Sequence, residues 1–305
     1  MSLGGYAYFW GLGLVQAALV LLPRAPRSRL LAALRSHWLL LVGPAAAITA
    51  ATFLPPVASA LADSLSTLAL VAVPLLAALG AGWALRLHHP GLVLVVPALF
   101  ALAWVDPRGT AGEAAGLALV ALSTVALAVV VVGILPSRVA KIGIGIWAAV
   151  DLTVALMHRL EEASRPIVQA APAVGPQLQR VVLGTASMEY ADLFVAAAFG
   201  AVLAVEGRRR GVATFLVAVF AVGWSFFFLV TDTLPATVPI AVALAVEEAR
   251  FYFSGGSRPF RRSVMRVPPP SARSAKTEPP WASATWRTIA RPRPEPDMPR
   301  AERAR

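Results

Sequence analysis

The chain has 305 residues, of which 58% are hydrophobic and only 14% charged, and its mean hydropathy is +0.70. A composition that apolar excludes a soluble domain and indicates a polytopic membrane protein. The absence of cysteine excludes disulfides, thiolate zinc sites and iron–sulfur clusters. The net charge of +11, carried mostly by arginine, does not describe a nucleic-acid-binding face, because the basic residues are spread over loops and a tail.

A membrane-crossing helix needs about 20 mainly apolar residues, somewhat fewer when it packs among others. Nine stretches qualify: 4–22, 38–57, 64–85, 91–105, 114–135, 140–157, 190–205, 211–231 and 234–249. The first lacks a basic leader and a small-residue cleavage site, so it reads as a retained span. His88 and His89, between the third and fourth spans, are adjacent and cannot share one helical face. They read as a solvated interfacial pair and not as a metal or haem site. In the sixth span Gly143 and Gly145 suit close helix packing. The loop 158–189, with Glu161, Glu162, Arg165 and Arg180, links the sixth and seventh spans and either gates a substrate or only connects them. No nucleotide-binding glycine loop, nucleophile elbow or HExxH motif occurs.

Residues 251–305 hold ten of the 25 prolines and dense arginine. Such a segment cannot bury enough apolar surface to fold alone, so a disordered basic tail is expected, able to meet anionic lipid headgroups. With nine spans, all of the 27 Lys and Arg residues except Arg108, Arg159, Arg165 and Arg180 fall on one side, the tail's side. The positive-inside rule then puts the N-terminus outside and the C-terminus in the cytoplasm. The expected fold is all-α, a multi-pass protein of the plasma (cytoplasmic) membrane. It comprises a five-span bundle over 1–137, a four-span unit over 138–250 and the tail over 251–305.

Two carboxylates stand inside spans. Asp151, in GIWAAVDLTVAL, lies well within the sixth, and Asp192, in ASMEYADLFVAAAFGAVLA, near the start of the seventh. A carboxylate near the centre of a span costs about 3 kcal/mol on insertion scales, so each needs a reason. Asp151 is eleven residues past Ala140, about 16 Å by helical rise, and antiparallel neighbours can bring the two acids face to face. Two carboxylates in contact at low dielectric share one proton, which supplies a base and an acid together. That arrangement suits aspartyl proteolysis. It equally suits a proton or cation relay, and two separately hydrogen-bonded structural acids remain a third reading.

Three segments carry a family resemblance: LPSRVAKIGIGIWAAVDLTVAL in the sixth span, ASMEYADLFVAAAFGAVLA in the seventh and TDTLPATVPIAVAL at the start of the ninth. In order and position they resemble the segments of the presenilin/signal peptide peptidase family that hold its two catalytic aspartates and its P-A-L signature. Met188 and Asp192 match the M-L-G-L-G-D segment, with Met188 one residue closer to the Asp than in the family, and Leu234, Pro235 and Ala236 match the start of the last motif. The likeness covers about 135–245 and departs in detail. Val150 replaces a tyrosine, Glu189-Tyr190-Ala191-Asp192 replaces G-x-G-D, and Thr237 replaces leucine. The resemblance implies an intramembrane aspartyl protease. Asp151 and Asp192 would be its catalytic pair, and Leu234, Pro235 and Ala236 part of its substrate wall. It would have no cofactor, and its partners would be transmembrane segments of other proteins. Glu189 is expected to point to the outer surface, since a third carboxylate in the pair would need another proton or a cation.

Overall fold

The computed structural model describes residues 3–26, 28–35, 37, 55–85, 89–157, 175–229 and 234–253. Most of the predicted second span and the tail beyond Phe253 lie outside the described residues. The described residues all belong to one unit.

The described chain is mostly helical. Its helices are α1 (Leu3–Leu21), the short α2 (Arg29–Leu34), α3 (Pro55–Leu79), α4 (Val95–Val105), α5 (Thr110–Ile134), α6 (Ser137–Leu156), α7 (Tyr190–Val205), α8 (Arg210–Ser225) and α9 (Val238–Phe253). Among the described residues, three helical stretches are both long and apolar enough to cross a membrane: Ser66–Ala84, Thr110–Ile134 and Ser137–Leu156. Shorter apolar helices include Ala7–Leu21, Pro90–Val105, Tyr190–Val205 and Arg210–Ser225.

Several boundaries differ from the sequence reading. The break expected between residues 57 and 64 is absent, and α3 runs unbroken from Pro55. It carries Pro74 inside and ends in a π-helical turn, Gly80–Ala84. A proline withdraws one N–H and crowds the turn before it, and the π turn lies six residues further on. The last helix begins at Val238, four residues late, because Leu234–Thr237 form a turn that opens it. The all-helical expectation also fails at one place. Arg180–Leu183 (β1) and Ala186–Glu189 (β2) form an antiparallel hairpin, with Arg180 opposite Glu189 and Leu183 opposite Ala186. Gly184 turns it with φ +58°, a conformation L side chains rarely adopt, and a Cβ there would also collide with the Tyr8 ring. The Gly184 N–H donates to Glu113 Oε2 at 2.9 Å, which seats the hairpin tip on the start of α5.

α7 sits at the centre of the packing, touched by α1, α5, α6 and α9. Its residues from Val195 to Leu203 are all buried, as expected of a helix that is apolar all round. Alanines at 196, 197, 198 and 201 let neighbouring backbones approach, which is how helices gain contact where water supplies no driving force. The closest approach is at Gly200, where an added Cβ would lie 2.4 Å from the Val20 carbonyl oxygen. Gly143 and Gly145 play no such part. Among the described residues, nothing lies within 4 Å of a Cβ at either, because the inner stripe of α6 is Ala140, Ile144 and Ala148, spaced by four.

At the Lys141 end of α6, four charges tie three helices together. Lys141 Nζ meets Glu206 Oε1, just past α7, at 2.5 Å and Glu248 Oε1, on α9, at 2.9 Å. Arg208 reaches Glu206 Oε2 at 3.2 Å and Glu248 Oε1 at 2.5 Å, and its guanidinium covers the Phe251 ring 4.1 Å from the centroid. Shared partners fix each side chain once for two bonds, and most of these groups are largely shielded from solvent, so the network should exceed an isolated surface pair. Lys141→Ala is expected to lower stability by about 1–2 kcal/mol, read as a lower melting temperature in detergent. The difference from wild type should shrink when salt is raised to 1 M.

Candidate active site

Asp151 lies one turn beyond Ala148 on the buried stripe of α6, so helical spacing alone aims it at the neighbours of that helix. Those neighbours are α7 and α9. The turn before α9 supplies a partner: Thr237 Oγ1 donates to Asp151 Oδ2 at 2.5 Å. Thr237 is fully buried, and Pro235 beside it is buried too, while Leu234 and Ala236 are half-buried. The turn is held from the far side by Gln16 of α1, itself buried, whose Nε2 donates to the Ala236 carbonyl at 3.3 Å. A glutamine in the middle of an apolar helix is explained by this contact.

Asp192 has a local partner. It is the third residue of α7, and Glu189 is the N-cap. The Glu189 N–H donates to Asp192 Oδ2 at 3.3 Å, and the Asp192 N–H donates back to the Glu189 carboxylate. This reciprocal capping box satisfies N–H groups that a helix start leaves open, and two acids there also face the positive end of the helix dipole. Asp151 and Glu189 are both near enough for their charges to act on Asp192. Tyr190, between Glu189 and Asp192, is hydrogen-bonded to Ser123 of α5 at 3.1 Å, which fixes the start of α7 against a second helix.

Glu189 therefore does not point to the outer surface as expected. Capping draws its carboxylate inward, and it belongs with Asp151 and Asp192 as a third acid. It lies on β2, outside the helices. Burial pushes its carboxyl up to about 7, the Asp151 charge pushes the same way, and Arg180 opposes them. A carboxyl raised from its ordinary 4.5 keeps its proton in the folded chain where the unfolded chain has lost it. Its contribution to stability is therefore complete below pH 4.5 and is lost as the pH rises to about 7. Wild type should melt at a lower temperature at pH 7.5 than at pH 5, and Glu189→Gln, which can still cap, should flatten that dependence.

The sequence-predicted residues thus meet in part. The segments holding Asp151, Asp192 and Pro235 are neighbours, and the hydroxyl that touches Asp151 belongs to Thr237, one residue past the matched tripeptide. Sequence reasoning missed Thr237 and Gln16 as site residues; a lone buried glutamine in the first span was the available signal. Among the described residues, no three His, Cys, Asp or Glu side chains are placed to hold a metal ion. His89 is exposed, and its Nδ1 accepts the Gly91 N–H at 3.1 Å; His88 lies outside the described residues. An apolar groove of about 290 Å³ between α8 and α9 is lined by Val219, Gly223, Trp224, Phe227, Val238 and Pro239. It begins one residue past Thr237 and contains none of the carboxylates.

No known protein family, no curated protein and no solved structure matches the chain.

Proposed function

We propose that the chain is a nine-span intramembrane aspartyl protease of the presenilin/signal peptide peptidase type, with its N-terminus outside and its basic tail in the cytoplasm. The observation that carries this reading is the convergence on Asp151: an acid within an apolar helix accepts a hydrogen bond from the turn before α9, and its helix packs against α7, which carries Asp192. In this reading Asp151 and Asp192 share a proton. One takes a proton from water as that water attacks the scissile carbonyl, and the other gives a proton to the carbonyl oxygen. Leu234, Pro235 and Ala236 form part of the substrate wall. The substrate is a transmembrane segment of another protein, locally unwound so that its backbone pairs as a strand, and the β1–β2 hairpin beside Asp192 is suited to receive it. The enzyme uses no cofactor and binds no nucleic acid, and its tail contacts anionic lipid.

The test is cleavage of a model transmembrane helix by the purified chain in liposomes, together with photolabelling by a transition-state analogue of aspartyl proteolysis. Loss of cleavage in Asp151→Ala and in Asp192→Ala supports the reading; cleavage that survives either substitution rejects it. Specific labelling without cleavage would indicate a homologue that binds membrane helices. The separate hydrogen-bond partners of Asp151 and Asp192 favour one competing reading, two structural acids, which neither cleavage nor flux would accompany; a proton or cation relay through Asp151 and Asp192 is the transport alternative. Proton-coupled flux abolished by Asp151→Asn, with no cleavage by wild type, would establish that alternative.

A further inference from the structure

We infer that Thr237 is a positioning residue for Asp151, and that Gln16 of α1 holds Thr237 in place. This inference rests on the protease reading. A carboxylate on a helix rotates about two side-chain bonds, and the base of a water-activating pair must hold one orientation while water and carbonyl approach. Thr237 Oγ1 fixes Asp151 Oδ2 at 2.5 Å and leaves Oδ1 to the water. The anchor is itself rigid. Thr237 has no exposed surface, its carbonyl accepts the N–H groups of Ile240 and Ala241 at 3.1 Å, and the Ala236 carbonyl before it accepts the Gln16 amide. A leucine at 237 would offer no hydroxyl, so this contact is specific to the threonine. The turn ahead of α9 thereby does two jobs, shaping the substrate wall through Pro235 and orienting the acid through the hydroxyl two residues on.

Thr237→Val keeps the shape and removes the donor; Thr237→Ser keeps the donor and removes a methyl. In liposomes, Thr237→Val should lower kcat by about 10–100-fold with KM changed less than about twofold, since only the reacting geometry is lost. Thr237→Ser should recover kcat to within about threefold of wild type. Thr237→Ala and Thr237→Ser, compared in the same way, give a second hydroxyl contrast should the valine variant fail to fold. Gln16→Leu should show a weaker form of the same pattern, falling on kcat and not on KM.

Equal loss in the Ser and Val variants, or a loss carried by KM, would make Thr237 a packing residue and overturn the inference. A Thr237→Val chain at wild-type rate, with Asp151→Ala inactive, would overturn it while leaving the protease reading intact. A wild-type chain that cleaves no helix overturns both.

Discussion

Under the proposed protease reading, Asp151→Asn is expected to reduce cleavage of a reconstituted helix by about 10³-fold or more, the scale at which a catalytic unit loses a member. The substitution should leave the fold intact. The asparagine carbonyl oxygen can still accept the Thr237 hydroxyl, the side chain has nearly the same volume, and a charge is removed from an apolar helix. An amide cannot take a proton from water, so lost activity in a chain that melts at or above the wild-type temperature isolates the chemistry from the structure. The control is Lys141→Ala. Lys141 lies ten residues from Asp151 on the same helix, about 15 Å away by rise, and its loss should lower the melting temperature without a thousandfold loss of rate. If the asparagine variant cleaves at more than a tenth of the wild-type rate, Asp151 is not the base.

The largest structural effect is expected at Gly200. A Cβ at this position would meet the Val20 carbonyl oxygen at 2.4 Å and its carbon at 2.8 Å. Both are backbone atoms of α1, so nothing can rotate away. Gly200→Val should force the helices apart and cost about 3 kcal/mol, at the upper end of what overpacking does. Because α7 carries Asp192 and α1 carries Gln16, the same displacement should abolish any activity of the site. Gly143→Val is the matched control. Its position is open, and its melting temperature should stay close to that of wild type. Equal effects at the two positions would mean that α1 and α7 do not approach as described.

The helical character of the described segments was legible in the sequence because a long apolar run satisfies its own backbone groups most simply as a helix. α5 and α6 follow their predicted limits to within a few residues at each end. The hairpin was not read, although Gly184-Thr185 between two short runs is a recognisable two-residue turn. Four-residue strands are too short for an alternating pattern to stand out beside a span. The acids at 151 and 192 were found because charge in an apolar run is conspicuous. Glu189 was misjudged because its capping partner is a backbone N–H, and side-chain spacing does not reveal that bond. Gly143 and Gly200 look alike in sequence, and only the neighbour each one faces distinguishes them. Thr237 meets Asp151 across 86 residues, a contact that no local pattern encodes.

The hydrogen bond from Gln16 to Ala236 closes a loop of 220 residues, and that from Trp10 to Ser225 one of 215. The ribosome delivers the helices in chain order, so α1 waits through the synthesis of nearly all the others before its polar side chain finds its partner. Until then an unfinished chain carries Asp151 without Thr237 and without the turn that holds it. The assembled site is thus a late product of biosynthesis.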